Sequence, residues 1–257
     1  MLGLLLAVQA TSSSLRQVAA CRDNLNRRGI RGSRRLSSSA AAAFLPTQLQ
    51  GCILWLRPDP GTYTIATGIS RLNDLSSAGN NATQATGSAQ PTLNASDAAY
   101  GNQPTMSFVG ASSQQLLRLS MVGSNSQPVT MIVIGNTSLV SSGLVTFNTA
   151  EMFCDSSSTI KINAGTALSS STSAASPCIM AAVFNSTSQL YVNSSLAPAV
   201  SGSAGSSGFG TGTLVVGQGA GAQLTGKIAE VILYNGAPPL GPIFRYAGQR
   251  YGFPTWG

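Results

Sequence analysis

The chain contains no histidine, and only 8% of its 257 residues are charged. The first absence excludes a Ser-His-acid triad and removes the side chain that most often shuttles protons near neutral pH. The second leaves a surface built from Ser, Thr, Asn, Gln and Gly, since a typical globular domain is roughly a quarter charged. Uncharged polar surfaces of this kind are common in extracellular and virion proteins. Cysteine is also sparse: Cys21, Cys52, Cys154 and Cys178 show no CxxC spacing, so nothing in their order marks a zinc site. Buried free thiols and a single Cys154–Cys178 bridge both remain open readings.

What charge there is sits unevenly. Residues 1–47 carry seven arginines and one acid, Asp23, for a net +6, while residues 48–257 carry seven basic and six acidic groups, for +1. The overall pI near 9.7 is therefore a property of an N-terminal arm, and such asymmetry marks a segment that docks on something acidic. Met1–Ala10 is apolar but shorter than a good signal core, has no preceding basic residue, and is much too short to span a bilayer. It reads as an anchor that packs on a partner through Leu4, Leu5 and Leu6. Ser14 caps an expected helix to Arg28, with Leu15, Val18, Ala19 and Leu25 on one side and Gly29 ending it. Arg31–Ala43 reads as irregular. Arg16, Arg22, Arg27, Arg28, Arg31, Arg34 and Arg35 are the arm's docking cations. No aromatic side chain lies among them to stack on bases, so a protein surface fits them better than nucleic acid. Expected domains are the arm, 1–47, and a main domain, 48–257.

Beyond the arm, short apolar runs alternate with polar turn clusters such as Ser76–Asn81 and Ser201–Gly212. Expected strands are Gln50–Leu56, Gly68–Leu72, Thr105–Phe108, Gln115–Leu119, Thr130–Gly135, Leu144–Phe147, Thr159–Asn163, Cys178–Asn185, Gln189–Val192, Thr213–Gly217 and Lys227–Tyr234. With one late helix, Pro242–Tyr251, the pattern is all-β: a sandwich or jelly roll whose first and last strands pair to close the core. Ile228–Tyr234 is apolar at both parities apart from Glu230, so both faces of that strand should be covered, one by the core and one by loops or the terminal helix. Phe244 and Tyr251, seven residues apart, share a side of that helix.

Several ordered motifs carry a resemblance: Ile53-Leu-Trp-Leu-Arg-Pro-Asp59, Arg71–Ser76 followed by Gly79–Gln84, Gln103–Phe108, Leu190–Asn193, Leu214–Gly217 and Gly226–Asn235. Together they resemble concanavalin A-like, laminin-G-like jelly-roll modules over about residues 45–257. The lead-in Phe44–Gly51 is similar to bacteriophage versions in particular. Two positions depart from the pattern: Leu72 stands where the family often has Trp, and Ala82 where it often has His. The resemblance implies two curved antiparallel sheets of six or seven strands. It further implies a phage capsid, neck or tail-fibre structural protein, anchored to other virion proteins by its arm, exposed on the particle and assembled as a homo-oligomer. The alternative is a carbohydrate-binding, lectin-like module of a cell-surface adhesin.

Glycosidases on such folds pair two carboxylates on one strand. The only glutamates are Glu151 and Glu230, and neither has a second acid two residues away. The expected role of Glu230 is to tie down a loop or the helix, and no enzyme is expected. Calcium is the one cofactor the resemblance raises, yet Asp59, Asp74, Asp97 and Asp155 are isolated in sequence, and Asp74 reads as a turn former. For glycan contact the loop residues Tyr63, Asn80, Asn81 and Tyr100 are the candidates, with Tyr100 beside Gly101 equally readable as packing. N-x-S/T sequons begin at Asn81, Asn94, Asn136, Asn185 and Asn193, as chance predicts for so Asn-, Ser- and Thr-rich a chain.

Overall fold

The computed structural model describes residues 43–257 except Ser124, Leu139, Val140, Gly208, Ala220 and Gly257. The expected arm helix, Leu4, Leu5, Leu6 and the seven docking arginines lie outside the described residues. In chain order the strands begin with β1 (Cys52–Leu56), β2 (Tyr63–Ile65), β3 (Ile69–Leu72), β4 (Ala82–Thr83), β5 (Thr92–Asp97), β6 (Gln103–Phe108) and β7 (Leu116–Arg118). They continue with β8 (Val129–Thr137), β9 (Ser142–Phe147), β10 (Ala150–Cys154), β11 (Thr159–Asn163), β12 (Ala167–Ser173), β13 (Cys178–Phe184) and β14 (Ser188–Val192). The last are β15 (Val200–Gly202), β16 (Leu214–Val216), β17 (Gln218–Gly219), β18 (Ala222–Gln223) and β19 (Gly226–Asn235), followed by helix α1 (Leu240–Tyr251).

Two antiparallel sheets form a sandwich. One has eight strands, ordered β15-β14-β13-β8-β19-β6-β5 with β1 added beside β19; the other has nine, ordered β12-β11-β10-β9-β16-β7-β4-β3-β2. Both exceed the six or seven strands that the motif resemblance implies. The extra members are short or Ser/Thr-rich edge strands with little apolar patterning. A two-stranded ribbon, β17–β18, forms a separate third sheet.

Strand β19 organises the first sheet. It pairs along its length with β8, while its other edge is shared: Gly226–Ile228 pair with β6, and Val231–Tyr234 with β1. First and last strands thus close the sheet, as their apolar sequences predict. A bulge falls between Ile228 and Glu230 in the ladder with β8. Ile228, Val231 and Leu233 face the core between the sheets, while Ala229, Ile232 and Tyr234 face the other way. Strict alternation would aim Glu230 into the inter-sheet core. The inserted residue puts it on the same face as Ala229 instead.

Two apolar clusters result. The inter-sheet core joins Leu54, Leu56, Val133, Val231 and Leu233 to Leu116, Val145, Phe147, Met152, Ile160 and Ile162. The second cluster covers the outer face of the eight-stranded sheet, where Trp55, Ile132, Ile179, Ile232 and Tyr234 meet Ile243, Phe244, Ala247 and Tyr251 of α1. Each such side chain contributes about 1.5–3 kcal/mol on full burial, which is why a helix with no N-terminal side-chain cap holds its place. The lead-in belongs to this layer. Phe44 packs edge-on against Tyr246 at 6.2 Å, and the Tyr234 hydroxyl donates to the Pro46 carbonyl at 2.8 Å. The compact unit accordingly begins at Ala43, and a boundary at 47/48 would cut through residues that this layer buries.

Candidate functional site

The outer face of the nine-stranded sheet carries a cross-strand row. Thr64 on β2 opposes Arg71 on β3, Arg71 opposes Thr83 on β4, Thr83 opposes Leu117 on β7, and Leu117 opposes Val215 on β16. Directly opposed residues share a face, so these five side chains line up across five strands. The row continues to Thr146 on β9, but there it passes under cover. The Thr146 hydroxyl donates to the Gln218 carbonyl of β17 at 2.8 Å, and β17 lies directly over Gly143. Towards β3 the face stays open, with Thr64, Arg71 and Thr83 exposed.

A groove of about 250 Å³ sits there, lined by Arg71, Asn81, Thr83, Leu117, Arg118 and Leu119. Leu119 is 74% exposed and offers apolar surface at the groove. The Nε of Arg71 donates to Asn73 Oδ1 at 2.9 Å, and the Nε of Arg118 to Asn80 Oδ1 at 3.2 Å. Each guanidinium is thereby oriented through one edge, and its terminal amino groups remain for a ligand.

The turn between β3 and β4 supplies this geometry. Asp74 Oδ1 accepts the N–H groups of Trp55 and Ser76, and Oδ2 accepts the Ser76 hydroxyl and the Asn80 N–H. Asp74 is thus the turn former its sequence context predicts. Asn81 Oδ1 accepts the Asp74 N–H at 2.9 Å, while Asn80 Nδ2 donates to the Ile53 carbonyl at 2.7 Å. The turn is pinned to β1, and Asn80 Oδ1 is delivered to both Arg118 and the Val122 N–H.

Of the four glycan candidates, Asn81 lines the groove and the other three do not. Asn80 is fully buried. Its side chain is consumed by framework hydrogen bonds one layer behind the groove, where it acts on a ligand only through Arg118. Tyr63 opposes the buried Leu72 and packs half-buried against the inter-sheet core. Tyr100 is fully buried under α1, edge-on to Tyr251 at 6.2 Å, with its hydroxyl donating to Asn136 Oδ1 at 2.8 Å. Its neighbour Gly101 takes φ +61°, and a Cβ there would come within 2.9 Å of the Tyr251 backbone. The packing reading of Tyr100 is the one that holds.

A second polar cluster lies under α1. The Glu230 carboxylate accepts the Trp55 indole N–H at one oxygen and the Tyr251 hydroxyl, at 2.7 Å, at the other, with the Tyr246 hydroxyl 3.0 and 3.2 Å from the pair. Burial pushes its pKa above the ordinary carboxylate range, and the Arg57 charge and the Tyr251 and Trp55 hydrogen bonds offset this only in part. Arg57 donates to the Tyr246 hydroxyl at 2.6 Å and, with Arg250, clasps Asp59. Glu230 ties the helix to the sheet, the role its sequence context predicts. The other glutamate, Glu151, accepts from Asn163 Nδ2 at 3.0 Å on β10.

Cys154 and Cys178 are separate buried thiols, and Cys52 is a half-buried one. Burial pushes Cys52 and Cys154 up to about 12, so both stay protonated. Among the described residues no three His, Cys, Asp or Glu side chains converge, and no helix is long and apolar enough to cross a membrane.

No protein-family model matches the chain, and no curated protein matches it in sequence. Solved structures do. An arabinofuranosidase crystallised with arabinofuranosyl-α-1,2-xylobiose superposes with a TM-score of 0.50 at 11% identity, over 73% of this chain and 51% of that one. The binding domain of botulinum neurotoxin serotype D superposes with 0.50 at 13% identity, over 77% and 51%. A sialidase of Trypanosoma rangeli gives 0.49 at 12%, over 77% and 33%. The likeness is one of fold alone. The chain spans between a third and about half of the length of these three proteins.

Proposed function

We propose that residues 43–257 form a lectin-like, carbohydrate-binding sandwich of the concanavalin A-like, laminin-G-like jelly-roll type, with the Arg71–Arg118 groove as its saccharide site. The observation that carries this is the open cross-strand row. It sets apolar Val215 and Leu117 beside hydrogen-bonding Thr83 and Arg71 on a rigid sheet face. A pyranose presents the same combination, an apolar ring face rimmed by hydroxyls, and recognition needs few polar groups if they are well placed. Fold-level analogy agrees: the superposed arabinofuranosidase was solved in complex with arabinofuranosyl-α-1,2-xylobiose, although function on shared folds resides in grafted sites. Binding is favoured over hydrolysis because Glu230 is sealed beneath α1, where no glycosidic oxygen reaches it.

For the setting, the reading is display on a larger assembly, with the basic segment 1–42 as the attachment. The charge asymmetry between that segment and the rest supports attachment. The phage-like lead-in Phe44–Gly51 favours a virion over a cell-surface adhesin as the assembly.

A glycan array probed with the protein tests the site. Retained saccharides whose binding is abolished by Thr83→Trp, which fills the groove from an exposed position, are the expected result. Retention that Thr83→Trp leaves intact would move the site elsewhere. Mass spectrometry of purified particles and of washed cell envelopes decides the setting; recovery from envelopes alone selects the adhesin.

A further inference from the structure

Four of the seven basic side chains in residues 48–257 are neutralised within the protein. Arg57 and Arg250 share Asp59, Lys161 meets Asp155 at 2.9 Å, and Lys227 meets Asp97 at 2.7 Å. Arg71, Arg118 and Arg245 form no ion pair among the described residues. Two of these three line the same groove, and no acid lines it with them.

That distribution is uneconomical for a structural role. Two like charges in the lining of one groove gain nothing from each other, and neither is offset by a carboxylate there. Both are nonetheless oriented, each through an Nε–H to an asparagine oxygen. A guanidinium fork is the side-chain group that planar and tetrahedral oxyanions fit, and this groove has two arginines in its lining. The neutral lining, Asn81 and Thr83 for hydroxyls and Leu117 and Leu119 for an apolar ring face, suits the rest of a sugar.

Building on the saccharide site proposed above, we infer that the groove selects sugars carrying an anionic substituent, a carboxylate or a sulfate ester, seated between Arg71 and Arg118. Nucleic acid is the weaker fit. Its affinity comes from many phosphates neutralised at once, and single strands add aromatic stacking. The groove offers two cations and no aromatic residue, on a domain whose net charge is close to zero.

The test uses matched glycan pairs on one array: 3′-sialyllactose and 3′-sulfolactose against lactose, and chondroitin sulfate hexasaccharide against its desulfated and carboxyl-reduced forms. The wild-type protein is compared with Arg71→Gln, Arg118→Gln and, as a remote control, Arg245→Gln. Thermal melts of each establish that it is folded. Expected is retention of acidic members at least tenfold above their neutral partners. Each groove variant should lose about tenfold, one charge-assisted contact apiece, and Arg245→Gln nothing. Carboxylate-only and sulfate-only members separate the two sources of the anion. Neutral members bound as well as acidic ones would overturn the selectivity and leave the saccharide reading standing. Acidic sugars bound equally by the groove variants would overturn the assignment of Arg71 and Arg118. Retention of no sugar would remove both readings, and a single-stranded oligonucleotide outcompeting every sugar would replace them.

Discussion

The Trp55 indole donates its N–H to the Glu230 carboxylate, joining β1 to β19 on the face that α1 covers. Tyr246 and Tyr251 reach the same carboxylate from the helix. One buried side chain therefore ties β19 and the helix that follows it to β1, 175 residues earlier in the chain.

Glu230→Ala leaves three donors without their acceptor. Stranded buried groups cost about 1–3 kcal/mol each where they cannot reach water, and loss of one partner from a buried charged network costs about 3–5 kcal/mol in all. Urea denaturation of the variant is expected to show a lowered midpoint and an unfolding free energy reduced by an amount in that range. An unchanged midpoint would show that the clamp contributes nothing.

Glu230→Gln isolates the pH dependence. Burial raises the folded pKa of Glu230, so the native state holds this proton more tightly than the unfolded chain does. The resulting stabilisation is complete below the ordinary value of about 4.3 and is lost as pH rises through the raised value. Glutamine does not ionise. The stability of the variant relative to wild type should therefore increase between pH 4 and pH 7, measured by urea melts across that range; a constant difference contradicts the raised pKa.

Asp97 predicts the opposite sign. Burial alone would raise its pKa, but hydrogen bonds from Lys227, Thr105 and the Ala99 N–H hold it below the ordinary range. Its stabilisation is present above about pH 3.9 and disappears as pH falls through the lowered value. Asp97→Asn should cost about 1–2 kcal/mol at pH 7, and the gap to wild type should narrow under acid conditions in the same melts.

Gly143→Ala tests the cover over the sheet. A Cβ at this position would lie 1.7 Å from the Gly219 N of β17, a backbone collision that no rotamer relieves. Displacement of the ribbon is expected, with a loss of about 1–3 kcal/mol typical of overpacking. Hydrogen exchange should rise in residues 217–224 and stay unchanged in β13.

Removal of residues 1–42 should leave a folded domain with the melting temperature of the full chain, because the compact unit starts at Ala43. Removal of residues 1–47 takes Phe44 and Pro46 with it and should melt several degrees lower. Equal melting of both truncations would deny the lead-in its packing role.

The sequence made the middle of the sandwich legible and its margins obscure. β1, β8, β13 and β19 are apolar on both faces because each lies between two buried layers, and such runs are visible in any reading of hydrophobic order. β12, Ala167-Leu-Ser-Ser-Ser-Thr-Ser173, is a strand only because β11 beside it supplies hydrogen-bond partners, and serine carries no pattern to announce that. β2, β5 and β15 are likewise short or polar edge strands, whereas β10, an interior strand whose Ala150, Met152 and Cys154 face the core in alternation, is absent from the expected strands although its pattern was readable. At the site, Asn81 was within reach as a turn residue. Tyr100 misled because an aromatic between turn formers looks like a loop tip, whereas Gly101 lets it fold beneath the helix. The Arg71–Arg118 pair had no local signal at all. Forty-six residues separate the two, and only the β3–β4–β7 ladder brings them to one groove.

The pairing of β1 with β19 also orders events in synthesis. While the protein is being made, the edge of β1 and the outer surface of its sheet have no partner until residues 226–251 leave the ribosome. Closure of this sheet therefore waits for its last strand. Until then the unpaired edge of β1 and the uncovered apolar face are the kind of surface on which incompletely folded chains associate.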